Sequence, residues 1–92
     1  MALLDEDEFE RRLSELNGWS REGSAIVKEF SCGNFAGSVE FVNNLTPVAE
    51  EMNHHPDLAI SWSTVTVTIS THSEGGLTDA DFRLAGRIDA LG

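Results

Sequence analysis

With 92 residues the chain has room for one domain, residues 1–92, and a domain so small buries only roughly 60% of its unfolded surface, so self-association is an expected supplement. Its 40% hydrophobic and 24% charged residues are those of a soluble globular protein, but 16 Asp and Glu against 6 Lys and Arg leave a formal charge of −10, which repels phosphate backbones and argues against direct nucleic-acid binding. A single cysteine, Cys32, excludes an internal disulfide and a thiolate metal cluster; no apolar run reaches the ~20 residues of a membrane span, and residues 1–8 do not resemble a signal peptide, so a cytoplasmic location is expected.

Residues 5–16 place Phe9, Leu13 and Leu16 at helical spacing, and Asn17-Gly18 supplies the stop. Residues 19–22, the Gly23-Ser24 turn and residues 25–31 read as a hairpin whose second arm carries Ile26, Lys28 and Phe30 on one face. Residues 34–53 carry Phe35, Val39, Val42, Leu45, Ala49 and Met52 on a second helical stripe. Pro47 interrupts that stripe: either the helix bends there, or Thr46 caps a new helix; the pattern stays in phase across it, which favours a single bent helix.

Leu58, Ile60 and Trp62 alternate with Ala59 and Ser61, predicting a third strand. In residues 64–71, Val65, Val67 and Ile69 face one way while Thr64, Thr66, Thr68 and Ser70 face the other, predicting a fourth. Thr78 is the expected N-cap of the last helix, with Asp81 at its third position, a Leu77–Phe82 staple, and Leu84, Ala85, Ile88 and Leu91 as its buried stripe. The order is αββαββα, an α+β domain in which helices cover one face of a four-stranded antiparallel sheet.

All three histidines of the chain fall at one end of the second predicted hairpin. His54 and His55 precede its first strand and His72 follows its second; folding the chain about Ser63 sets His54 opposite His72 and His55 opposite Thr71. Imidazole exchanges protons near neutral pH, so acid–base chemistry is the leading reading. Glu50 and Glu51 precede the pair by four residues each, a helical spacing that sets a carboxylate beside each ring. Zinc binding is disfavoured, because neighbouring residues in extended chain point apart and no HxH or HxxxH spacing occurs. A purely structural histidine cluster stays open.

The run Glu50-Glu51-Met52-Asn53-His54-His55-Pro56, with Trp62 six positions after Pro56, His72 ten after Trp62 and Asp81 nine after His72, resembles the signature of the pterin-4a-carbinolamine dehydratases. The similarity spans residues 19–89 and includes Ser70-Thr71-His72 and Gly76-Leu77-Thr78. It implies a hydro-lyase that removes water from 4a-hydroxytetrahydrobiopterin to give quinonoid dihydropterin, recycling the pterin after an aromatic amino acid hydroxylase such as phenylalanine hydroxylase. No cofactor or metal is implied, the pterin being the substrate. The catalytic set carried over is His54, His55 and His72, with His54 and His72 as the proton-transfer pair and His55 orienting the ring; Asn53, Ser70, Thr71 and Ser73 would meet the pterin's amide edge.

Glu50, Trp62 and Asp81 are supporting positions. Glu50 either orients His54 or lies on a solvated helix face, Trp62 is core or pocket wall before it is a stacking platform, and Asp81 fits a capping box. The resemblance further implies a homodimer through edge-strand pairing or a homotetramer through helix packing. It also brings an alternative role, that of a protein-interaction module, since family members act as dimerisation cofactors for a homeodomain transcription factor. The chain departs from the family pattern at Asn53, where some relatives carry Asp, at Leu58, a site often aromatic, and at Pro47 inside the second helix.

Overall fold

A computed structural model of the protein describes residues 3–71 and 76–91. His72 and Ser73, both assigned to the site above, lie outside the described residues. The elements are α1 (Glu6–Ser14), β1 (Ser20–Glu22), β2 (Ala25–Ser31), α2 (Phe35–Met52), β3 (Asp57–Ser61), β4 (Thr64–Ile69) and α3 (Asp79–Asp89). The four strands form one antiparallel sheet in the order β1-β2-β4-β3, so β4 is central and β3 is an edge.

Cross-strand register explains which side of the sheet became the core. Ile26 pairs with Ile69, Lys28 with Val67 and Phe30 with Val65, so these alternate residues share the face on which the helices pack. Val65, Val67, Ile69 and Ile26 are fully buried there, with Leu45 and Ala49 from α2 and Leu84, Ala85 and Ile88 from α3. Each such aliphatic side chain contributes about 1.5–3 kcal/mol relative to exposure. Phe9 of α1 meets Phe82 of α3 edge to face, with ring centroids 5.8 Å apart.

Lys28 points into this apolar layer and its ammonium emerges between Asn17 and Asp89, bonding the Asn17 carbonyl at 2.8 Å and Asp89 Oδ1 at 2.9 Å. Asp89 Oδ2 in turn accepts from Trp19 Nε1 at 3.0 Å. This closes the end of α3 onto β2 and the loop after α1. On the surface, Arg21 bonds Glu6 and holds its carboxyl below the usual range, chiefly through the hydrogen bond, and Arg11 does the same to Glu8.

Several expected core positions are not core. β3 is exposed along its whole length, although Leu58 and Ile60 pair with Val67 and Val65 and therefore point to the helical side. The helices cover β4 and stop short of this edge, leaving Leu58 36% and Ile60 42% exposed. Phe35 and Val39 lie on the outer side of α2's first turns, and Leu91 follows the end of α3; all three are exposed. Trp62 is not a strand residue but stands in the β3–β4 turn at φ +50°, 73% exposed, so it is not part of the core.

Pro47 lies within one continuous α2, so the split-helix alternative is excluded. The proline deprives the Asn43 carbonyl of its amide partner, but Asn43 and Pro47 are exposed and water can serve that oxygen. The start of α2 is clamped to the β3–β4 turn: buried Ser38 donates to the Trp62 carbonyl at 2.7 Å, and Cys32 N donates to the Ser63 carbonyl at 2.7 Å. Gly37 permits this approach, because a Cβ there would lie 2.1 Å from the Cys32 carbonyl oxygen. Gly37→Ala should therefore destabilise the protein by about 1–3 kcal/mol despite the better helix propensity of alanine, read as a lower urea midpoint. An unchanged or raised midpoint would show that this close contact carries no constraint.

Candidate active site

The site begins where α2 ends. Asn53 adopts the left-handed conformation at φ 50°, ψ 42°, its amide donates to the Glu50 carbonyl at 3.2 Å, and His54 N reaches back to the Ala49 carbonyl at 3.0 Å. This is a Schellman closure, with asparagine in the place usually taken by glycine. It turns the chain off the helix axis, so the i,i+4 spacing that predicted Glu50–His54 and Glu51–His55 pairs stops applying at Met52. Glu50 instead meets the Nε2 of His55, and Glu51 accepts from Arg87 at 3.1 Å.

His54 folds inward. Its side chain is 13% exposed, against 54% for His55, and its Nε2 lies 2.6 Å from Asp81 Oδ1. Asp81 is fully buried at the third position of α3, where its Oδ2 accepts from Thr78 N at 2.7 Å as half of the expected capping box. The same oxygen accepts from Thr71 Oγ1 at 2.7 Å. Asp81 is thus a helix cap, as the sequence predicted, and also the partner of His54, which the sequence did not indicate.

The register corrects one juxtaposition. The β3–β4 turn has two central residues, Trp62 and Ser63, with Ser61 opposite Thr64 and Asp57 opposite Thr68. Continuing the count sets His54 opposite Thr71 rather than His72. Thr71 follows the odd-numbered, inward side of β4, and both its backbone groups bond Gly76, at 3.1 and 3.4 Å. Its hydroxyl and both backbone groups have internal partners, so it also belongs to the scaffold of the site. Odd parity with Val65, Val67 and Ile69 was the sequence signal for this inward position.

Asn53 is exposed immediately before the paired histidines, and half-buried Ser70 follows the end of β4. Trp62 lies at the opposite end of the β3–β4 hairpin from His54. A shallow cavity of about 390 Å³ lies against Gly18, Ser20, Val27, Lys28 and Glu29, on the β1–β2 side, and includes none of the expected site residues. Among the described residues no group of three His, Cys, Asp or Glu is placed to hold a metal ion, and no helix is long and apolar enough to cross a membrane.

A family model described as Pterin 4 alpha carbinolamine dehydratase matches residues 2–91. The chain belongs to that family. Among its relatives, a Sulfolobus acidocaldarius protein with the provisional name pterin-4-alpha-carbinolamine dehydratase is 50% identical, over 96% of this chain and 97% of that one. A Roseiflexus castenholzii protein of the same provisional name is 47% identical, over 98% and 97%. A crystal structure from Brucella melitensis, described as a transcriptional coactivator/pterin dehydratase, superposes with a TM-score of 0.93 at 32% identity over 98% of both chains. A pterin dehydratase-like protein described as a RuBisCO assembly factor of the alpha-carboxysome superposes at 0.68, with 27% identity over 82% of this chain and 89% of that one.

In this family member, truncating Asp81 should damage the fold more than truncating His54. Asp81→Ala removes a cap and leaves buried donors unpaired, costing about 2–4 kcal/mol, whereas His54→Ala should cost under about 1.5 kcal/mol. Urea denaturation of both variants checks the order, and equal losses would contradict the hub role of Asp81.

Proposed function

We propose that the protein dehydrates 4a-hydroxytetrahydrobiopterin, a pterin-4a-carbinolamine, to quinonoid dihydropterin by histidine acid–base catalysis. The observation that carries this reading is His54, held by a buried carboxylate next to His55, in a chain matched by the family from residue 2 to 91. In the reaction the 4a-hydroxyl leaves as water once an acid protonates it, and N5 loses its proton to a base as the C4a–N5 double bond forms. His54 and His72 serve as the proton-transfer pair. His55, more exposed and paired with Glu50, orients the ring. Asn53, Ser70 and Ser73, with the backbone of Thr71, meet the amide edge of the pterin, and no metal or further cofactor takes part. The reaction belongs to cytoplasmic pterin recycling beside an aromatic amino acid hydroxylase, of which phenylalanine hydroxylase is the representative.

Positioned acid–base groups typically supply 10²–10⁴-fold. The His54→Ala, His72→Ala double variant should therefore lose at least about 100-fold in dehydration of enzymatically generated 4a-hydroxytetrahydropterin. Full activity in that variant would falsify the assignment.

We further infer that the chain self-associates. β3 is an edge with no lysine, arginine or internal proline to guard it, and it carries the exposed Leu58 and Ile60. Pairing of this edge gives a dimer, and packing of the outer face of α2 gives a tetramer. Size-exclusion chromatography with light scattering should return a dimer or tetramer at micromolar concentration; a monomer there would count against both. The alternative role, a protein-interaction module on the same scaffold, draws on the exposed Phe35, Val39 and Trp62 at the far end of α2. It predicts loss of partner binding, and not of dehydration, when those residues are replaced.

A further inference from the structure

Which nitrogen of His54 faces the substrate follows from the hydrogen bonds around Asp81. The positions of Thr71 Oγ1, Thr78 N and His54 Nε2 converge on this fully buried carboxylate at 2.7, 2.7 and 2.6 Å. A carboxylate accepts hydrogen bonds and does not donate them, so the hydrogen between Asp81 and His54 belongs to Nε2. A neutral imidazole carries a single N–H, and its other nitrogen, Nδ1, then holds a lone pair. Among the described residues Nδ1 has no hydrogen-bond partner, and no buried side-chain nitrogen or oxygen lacks one, so Nδ1 is not fully buried among them.

The two threonines give the network a direction. Thr71 has one hydroxyl hydrogen, which goes to Asp81 Oδ2. The 3.0 Å contact between the Thr71 and Thr78 hydroxyls is then donated by Thr78. Two donors on Oδ2 stop the carboxylate from turning about χ2, a torsion that is otherwise broad and nearly two-fold. Without the Thr71 hydroxyl only the Thr78 amide holds that oxygen, and the line from Oδ1 to the imidazole loosens.

We propose that Thr71 is a positioning residue: through Asp81 it locks His54 in the Nε2–H tautomer and makes Nδ1 the atom that exchanges a proton with the substrate. Nδ1 accepts the proton, Nε2 keeps its own, and Asp81 holds the resulting imidazolium. The tautomer stands on the geometry alone; the identity of the proton rests on the dehydratase reading.

Histidine-labelled protein at about pH 8.5, where imidazole is normally neutral, shows the ring nitrogens in long-range proton–nitrogen spectra, with His54 assigned from a His54→Gln spectrum. Wild type should give a single Nε2–H ring. Thr71→Val should give a mixture of tautomers and a kcat lower by roughly 10- to 100-fold with KM changed little, and Thr71→Ser should restore both. Should Thr71→Val not fold, Thr71→Cys, whose thiol is only a weak donor, is read in the same way. An Nδ1–H ring in wild type overturns the proposal, as does a Thr71→Val protein with unchanged ring signals and rate. A wild type with the Nε2–H ring but no dehydration of enzymatically generated 4a-hydroxytetrahydropterin overturns the reaction reading while supporting the tautomer.

Discussion

A carboxylate taken fully out of water costs several kcal/mol unless donors replace its hydration, and in this protein Asp81 is such a group. Its donors come from three separate parts of the chain: Thr78 at the head of α3, Thr71 just beyond β4, and His54 just beyond α2. The Thr78 amide is local to α3, but the Thr71 and His54 donors reach the carboxylate only when all three segments are in place. The burial cost therefore becomes a requirement that α2, β4 and α3 arrive together, and the same requirement places an imidazole at the end of the hairpin. Fold and site are joined at one side chain.

The rest of the domain is arranged around that junction. β4 is central in the sheet and supplies the apolar floor of Val65, Val67 and Ile69, on which α2 and α3 rest with their buried residues. At the other end of α3, Asp89 is held by Lys28 and the Trp19 indole, so the helix is tied at both ends by carboxylates. Arg12 adds a bond from α1 to Asp79 at 2.6 Å. Each of the six cations of the chain sits within 4.0 Å of a carboxylate, most of them on the surface, where such pairs contribute little individually. Their collective effect is on the surface potential: no free basic patch remains to meet a phosphate backbone, which fits the overall charge of −10.

Exposed apolar surface is concentrated in two places, the β3 edge and the start of α2 with the adjoining Trp62 turn. Trp62 is the less expected of the two, since a bulky residue at positive φ is disfavoured by contact between its Cβ and the following carbonyl. The turn is kept in place by Ser38 and by the Cys32 amide, which bond the two carbonyls of the turn. Glycine at position 37 lets α2 come close enough for this. The histidine end and the tryptophan end of the hairpin are thus held by different devices, a buried carboxylate at one and backbone packing at the other.

Local patterns in the sequence were sufficient for every element and for the sheet-facing residues, because alternation in β4 and the Thr78–Asp81 capping box depend only on neighbours along the chain. The run Glu50 to Pro56, with Trp62, His72 and Asp81 at their spacings, was enough to place the chain in its family. Partner choice at the site was not legible in the same way. Helical spacing assigned Glu50 to His54, but the left-handed Asn53 rotates the following residues, so His54 found Asp81, 27 positions away, and Glu50 found His55. Exposure of Leu58 and Ile60 was equally invisible, since apolar alternation says which side of a strand faces the core and not whether a helix reaches far enough to cover it. Sequence spacing determines what is adjacent on one element; which carboxylate meets which imidazole is set by how separate elements pack, and only the tertiary structure holds that information.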